Sequence, residues 1–215
     1  IRAAVYEFTE PAVLAAFAKA REAGADVRIV FHDKGDQGQA NEDAIKQANL
    51  DPAMLIKRTH PVIAHNKFII RCDRAADGSL LPKELRTGST NLTQGAIFGH
   101  LNVGHLIGDP AVAQRFLDYW AQLADQAVTT AALRLWTEST NPVELAAPGI
   151  ATILSPRATT SRLLDGYGDA FDGAVSSAHI TGAFGLNKVF RQRLGVDRGL
   201  VRTVLLDQKP DAGQE

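Results

Sequence analysis

Two short runs that each place polar, chemically capable residues two apart, the first run apolar around them, dominate this sequence in the stretch from Val62 to Thr93. The first reads Val62-Ile63-Ala64-His65-Asn66-Lys67-Phe68-Ile69-Ile70, and its β-branched and aromatic residues predict a strand. Successive side chains of a strand point to opposite faces. His65 and Lys67 are therefore expected to face one way, while Phe68 and Ile70 enter a core. A polar turn through Asp77-Gly78-Ser79 leads to Thr87-Gly88-Ser89-Thr90-Asn91-Leu92-Thr93. There Ser89 and Asn91 are again two apart, and Gly88 allows another group to come close.

These four side chains form a chemical set. His65 is a candidate nucleophile or base, Lys67 a fixed positive charge, and Ser89 and Asn91 are neutral hydrogen-bonding groups. A tetrahedral anion suits such a set. A neutral imidazole can attack phosphorus, an ammonium can offset charge on the non-bridging oxygens, and a hydroxyl and an amide can orient them. The set requires no metal ion and no cofactor.

His65-x-Lys67 followed by a turn and Gly88-Ser89-x-Asn91 resembles the motif of the phospholipase D superfamily of phosphodiesterases. The resemblance implies that His65 is either the nucleophile that forms a phosphohistidine or the acid that protonates the leaving group. By the same resemblance Lys67 binds phosphate oxygens, Ser89 and Asn91 complete the pocket, and two motif copies build one site. The family pattern carries an Asp at position 72, where this chain has Cys72, with Asp73 next. An acidic residue that often follows Gly-Ser-x-Asn in the family has no match near His100-Leu101-Asn102.

Composition sets outer limits. The chain has 215 residues, 45% hydrophobic and 22% charged, with a formal net charge of −1, as in an ordinary soluble globular protein of one large or two small domains. The sequence holds no apolar run of roughly eighteen residues, so no membrane-spanning segment is expected, and the compartment stays open. A net charge near zero removes a global electrostatic case for nucleic acid while leaving room for a local basic groove. The single cysteine, Cys72, excludes an intrachain disulfide framework.

Taken in order, the chain predicts an α/β fold, a mixed and mostly parallel sheet flanked by helices. Ile1 to Phe8 is a buried strand, and a helix capped by Thr9, with Pro11 in its first turn, ends at Gly24. Val27 to Phe31 then completes a parallel βαβ unit. Asp33 to Gln39 is expected as a polar loop at the carboxyl end of that strand, with His32, Asp33 and Lys34 as solvated loop residues, and Asn41 as the cap of the next helix. His60, before Pro61, is expected in a loop. After Asn91 a short helix or loop precedes a strand from Leu101 to Ile107, and Asp109-Pro110 opens a helix whose Val112, Phe116, Tyr119, Trp120, Leu123 and Ala127 form a core-facing stripe. A weaker helix is expected from Ala131 to Thr137.

The later part echoes the first. Val27-Arg28 to Asp33 aligns with Val201-Arg202 to Asp207 at an offset of 174 residues, and Ala3–Tyr6 aligns with Thr181–Phe184 at a similar one. The expected organisation is a first phospholipase D-like lobe over 1–140, a linker over 141–150, and the start of a second lobe over 151–215, with strands at Ala151–Leu154, His179–Phe184 and Leu200–Leu206. His179 is expected only as a strand-start residue. The second motif would fall near position ~239, so the chain is expected to be part of a longer two-lobed enzyme. Ile1, opening a strand without Met or leader, points the same way. A phosphodiester hydrolase working through phosphohistidine on a phospholipid or other small phosphodiester is the leading expectation. A non-specific nuclease and a catalytically silent scaffold are the alternatives.

Overall fold

A computed structural model describes residues 1–60, 64–141, 150–158, 162–182 and 185–206. The chain divides into two compact units, Ile1–Trp136 and Thr137–Glu215.

In the first unit β1 (Arg2–Val5) is followed by α1 (Pro11–Glu22), β2 (Arg28–His32) and α2 (Gly35–Gln47). Pro11 occupies the first turn of α1, where its missing N–H costs nothing; Glu10, not Thr9, is the cap. Gly24, with φ at +91°, turns the chain away after the helix. A single 3₁₀ turn, Pro52–Met54, leads to β3 (Leu55–Arg58), and then come β4 (Lys67–Arg74), β5 (Leu80–Gly88), α3 (Gln94–Phe98) and β6 (Gly104–Ile107). The helix α4 (Pro110–Ala124) is capped by Asp109, whose carboxylate accepts from the Ala111 and Val112 amides, as expected from the sequence. The last helix to begin in this unit is α5 (Thr130–Thr140).

The sheet runs β3-β2-β1-β4-β5-β6. β1 pairs in parallel with β2, and β2 with β3, whereas β4, β5 and β6 join antiparallel. Four of its six strands therefore run one way, giving the mixed, mostly parallel sheet flanked by helices that the sequence predicts. β3 is an addition, since the sequence predicts only a connection over Leu55–Arg58.

The period of two decides which face each residue joins. Leu14 and Phe17 of α1 and Ile45 of α2 bury Ala3, Val5, Ile29 and Phe31 on one face. On the other, Phe68 meets Phe116 and Tyr119 of α4 at ring distances of 5.1 and 6.0 Å, and Trp120 Nε1 donates to the Ala3 carbonyl at 2.9 Å. The aromatic stripe of α4 is thus core, and Phe68 and Ile70 are buried as expected.

Two further local expectations fail beside the Thr9 cap. Asp33–Gln39 is not a loop, since α2 already begins at Gly35. Asn41 is not a cap but lies inside α2, fully buried, with its amide bonded to the Tyr6 and His32 carbonyls at 2.7 and 2.9 Å and its oxygen accepting from the Phe8 amide. It satisfies backbone groups where β1 and β2 run out of ladder.

The second unit contains α6 (Leu163–Asp172), β7 (Ser177–Gly182), α7 (Lys188–Leu194) and β8 (Val201–Leu206). β7 and β8 pair in parallel around α7, in the same order of elements as β1, α1 and β2. Phe171 and Phe190 meet edge to face, and Arg202 bonds Asp172 at 2.9 Å while lying over Phe171. Ala151–Leu154 forms no strand. Its backbone is pinned instead by the Asn141 side chain, which donates to the Thr152 carbonyl and accepts from the Leu154 amide. The expected linker residues 142–149, and residues 183–184 of the expected strand, lie outside the described residues.

Candidate active site

The carboxyl ends of β1, β2 and β5 and the amino end of β4 meet at one edge of the sheet, because β4 runs against β1 and β5. Lys67 pairs with Val5, the last residue of β1. Beyond Val5 the ladder stops, since the Tyr6 carbonyl and Phe8 amide turn to Asn41 and the Glu7 carbonyl accepts from the Leu92 amide at 3.0 Å. Among the described residues His65 therefore has no strand partner, and it precedes β4 instead of lying within it as expected. Val62 and Ile63, with which that strand was expected to begin, lie outside the described residues.

His65 and Lys67 nevertheless converge on one side chain. The His65 ring meets the Tyr6 ring edge-on at 4.6 Å, and Lys67 Nζ lies 5.1 Å from the centre of the same ring. Lys67 is only 8% exposed, and its Nζ donates to the His65 carbonyl at 3.3 Å. Burial pushes its ammonium down to about 8, with the Glu7 carboxylate pulling the other way. His65 is held below its ordinary value of 6.5, first by burial of part of its ring and then by the neighbouring Lys67 ammonium. At neutral pH the imidazole is thereby kept unprotonated beside an ammonium, the state in which it can act as a nucleophile.

Asn91 enters from the β5 side. Its amide donates to the Glu7 carboxylate, while its carbonyl oxygen is buried with no hydrogen-bond partner among the described residues. Ser89 is one step beyond β5; its hydroxyl accepts from the Val103 amide at 2.9 Å and donates to Asn102 at 3.0 Å. The group that approaches Gly88 is the β6 backbone: a Cβ on Gly88, where φ is +154°, would stand 2.0 Å from the Val103 carbonyl oxygen. His65, Lys67 and Asn91 are thus gathered about Tyr6 and Glu7, while the present hydrogen bonds of Ser89 tie the β5–β6 return together.

Sequence reasoning misses Tyr6 and Glu7, and takes His32, which it does place at a strand's carboxyl end, for a solvated loop residue. All three stand at carboxyl ends of adjacent parallel strands, where α/β folds collect ligand-facing groups, and that position is the available signal. His32 is not a loop residue. It ends β2 at 2% exposure, with its ring 4.9 Å from Tyr6. Cys72, in place of the family Asp, sits five residues along β4 from Lys67, about 17 Å away at a strand's rise, and past a bulge. That departure falls away from His65. His60 lies in an irregular segment, and His179 lies within β7, as their sequence contexts suggest. Among the described residues, no helix is long and apolar enough to cross a membrane.

Comparison with known proteins adds the family. Residues 1–124 match the family model described as "Cardiolipin synthase, PLD-like domain". No curated protein sequence matches this one. Among solved structures, similarity is found to a phospholipase D family member, Nuc from Salmonella typhimurium, at 26% identity over 57% of this chain and 76% of that one, with a TM-score of 0.45. NucT from Helicobacter pylori is similar at 14% identity over 59% of this chain and 80% of its own, with a TM-score of 0.40. The family match spans more than half of the sequence and contains every residue of the edge that gathers His65, Lys67 and Asn91, so the chain belongs to the PLD-like domain family of the phospholipase D superfamily of phosphodiesterases.

Proposed function

We propose that this chain carries one half of the site of a phosphodiester hydrolase that acts through a covalent phosphohistidine. The observation that carries the reading is the convergence of His65 and Lys67 on Tyr6, which puts a neutral imidazole next to a desolvated ammonium. One motif histidine attacks phosphorus, forming a P–N bond as the ester P–O bond breaks, and the other protonates the departing alkoxide. The second histidine, now neutral, then takes a proton from water as that water attacks phosphorus, and the P–N bond breaks to free the first histidine. The lowered pKa of His65 supports the attacking role for it. Lys67 neutralises charge on the non-bridging oxygens. The Asn91 amide and the Ser89 hydroxyl orient those oxygens after exchanging Glu7 and Asn102 for the substrate.

The second histidine belongs to a second motif. The recurrence of a parallel strand–helix–strand order around β7, α7 and β8 supports a duplicated lobe, whose own His-x-Lys falls near position ~239 at the offset of the repeat.

A phospholipid or other small phosphodiester is the substrate class we favour. Net charge close to zero argues against the electrostatic grip that non-specific nucleic-acid binding needs, and the family description names cardiolipin synthase, which supports lipid chemistry. The test sets the protein against phosphatidylcholine vesicles and plasmid DNA in parallel. Release of choline, together with an alkali-stable phosphorylated histidine, is expected. Plasmid cleavage whose binding falls steeply with salt would replace this reading with a nuclease, and inertness toward both would leave a silent scaffold.

A further inference from the structure

His32 sits directly beneath the segment that carries His65, and both of its ring nitrogens are engaged. Nδ1 receives the Ala64 amide at 3.3 Å, and Nε2 lies 2.9 Å from the Lys34 carbonyl oxygen. An amide N–H can only donate and a carbonyl can only accept, so the ring carries its proton on Nε2 and is bare on Nδ1. Its burial at 2% exposure leaves water no part in either bond. The same ring packs against Tyr6, whose other neighbour is the His65 ring. Two independent connections, one through backbone and one through an aromatic wall, therefore run from His32 to the residue next in chain and next in space. The β1–β4 ladder ends at Val5 and Lys67, so it offers this segment no further pairing among the described residues.

We propose that His32 is a positioning residue for His65: its bare Nδ1 latches the Ala64 amide, and that latch fixes the direction in which the His65 imidazole, packed against Tyr6, faces the phosphoryl group. This rests on the catalytic reading of His65. In this chain the latch does for His65 what an adjacent carboxylate would do by direct hydrogen bonding, since no such acid follows Asn91 near His100–Asn102. A small misalignment of a reacting group costs rate more than binding, so the latch acts on kcat.

Two substitutions separate the halves of the ring. In His32→Asn the amide oxygen stands where Nδ1 was and still accepts from Ala64, while in His32→Gln the polar end lies near Nε2 and reaches Lys34 instead. Steady-state cleavage of bis(4-nitrophenyl) phosphate by the protein carrying this chain reads the difference. The expected result is that His32→Asn keeps kcat within about threefold of the parent, while His32→Gln loses about ten- to a hundredfold, both with nearly unchanged KM. Parental kcat in His32→Gln, equal losses in both variants, or a loss confined to KM would overturn the proposal. His65→Ala, run alongside, isolates the underlying reading: if it cleaves as well as the parent, His65 is not catalytic and the functional reading fails on its own account. The latch has an activity-free readout as well. Imidazole ¹⁵N spectra are expected to show His32 as the Nε2–H tautomer, with the His65 ring signals shifted in His32→Gln and kept in His32→Asn. The opposite tautomer, or His65 signals indifferent to both changes, would contradict it.

Discussion

Lys67 bears a conflict between stability and function. Its ammonium is desolvated against Tyr6 and bonded only weakly to the His65 carbonyl, so the folded state holds its proton less tightly than the unfolded chain does. With a folded value of about 8 against an ordinary 10.5, the charged form is penalised at pH 7, and stability rises as the pH climbs between those two values. Lys67→Met is expected to raise stability by about 1 to 3 kcal/mol at pH 7 in urea unfolding, with the gain vanishing above about pH 10, while cleavage is lost. A destabilised or unchanged variant would mean that the charge is better compensated than the geometry suggests. The same two groups set the pH profile. On the proposed roles, an attacking His65 must be neutral, and its lowered value puts the acid limb of kcat/KM below 6.5; a phosphate-holding Lys67 must be charged, which puts the alkaline limb near 8. A profile still rising through pH 9 would remove Lys67 from phosphate binding.

At the scale of elements the site hangs on two connectors, Asn41 and Gly88. Asn41 joins α2 to the ends of β1 and β2 through its three bonds, so Asn41→Ala, which orphans buried backbone groups, is expected to cost about 2 to 4 kcal/mol in thermal or denaturant unfolding. Gly88→Ala would drive a methyl group into the Val103 carbonyl, and is expected to displace the β5–β6 return and with it Ser89, seen as shifted amide signals for 88–104. Wild-type stability in the first variant, or an unperturbed spectrum in the second, would show that these connectors are dispensable. The contrast between elements explains what the sequence could disclose. β1, α1 and β2 are legible because apolar runs, Pro11 and Gly24 all favour the same structure. β3 is not, because Lys57 and Arg58 make an edge strand look like a polar connection; the Arg58 side chain is buried while donating to the Asp125 and Val128 carbonyls at 2.8 Å each, partners 67 and 70 residues away. Asn41 fails as a cap for a similar reason. Its residue type suits a cap, and only the fold reveals that strand ends need it more. His65 and Lys67 are found by spacing, yet their meeting point, Tyr6, lies at the end of another strand and no local pattern could supply it.

For the whole molecule, the sheet edge is the organising fact. Antiparallel insertion of β4 beside β1 brings the start of one strand to the ends of others, and that topology gathers an imidazole, an ammonium and an amide about Tyr6 and Glu7, with Asn91 bonded to Glu7 across 84 residues of sequence. A family match over residues 1–124 encloses this edge, and β7, α7 and β8 share the strand–helix–strand order of β1, α1 and β2. The central claim is that this edge breaks phosphodiester bonds. The most direct measurement is single-turnover cleavage of a soluble phosphodiester by the protein with His65 intact and with His65→Asn, after matched thermal unfolding curves establish that both are folded. We predict that the parent accumulates a phosphoryl group on His65 during the turnover, and that the asparagine variant loses at least about a thousandfold in rate. Cleavage at the parental rate by the folded variant would contradict the central claim.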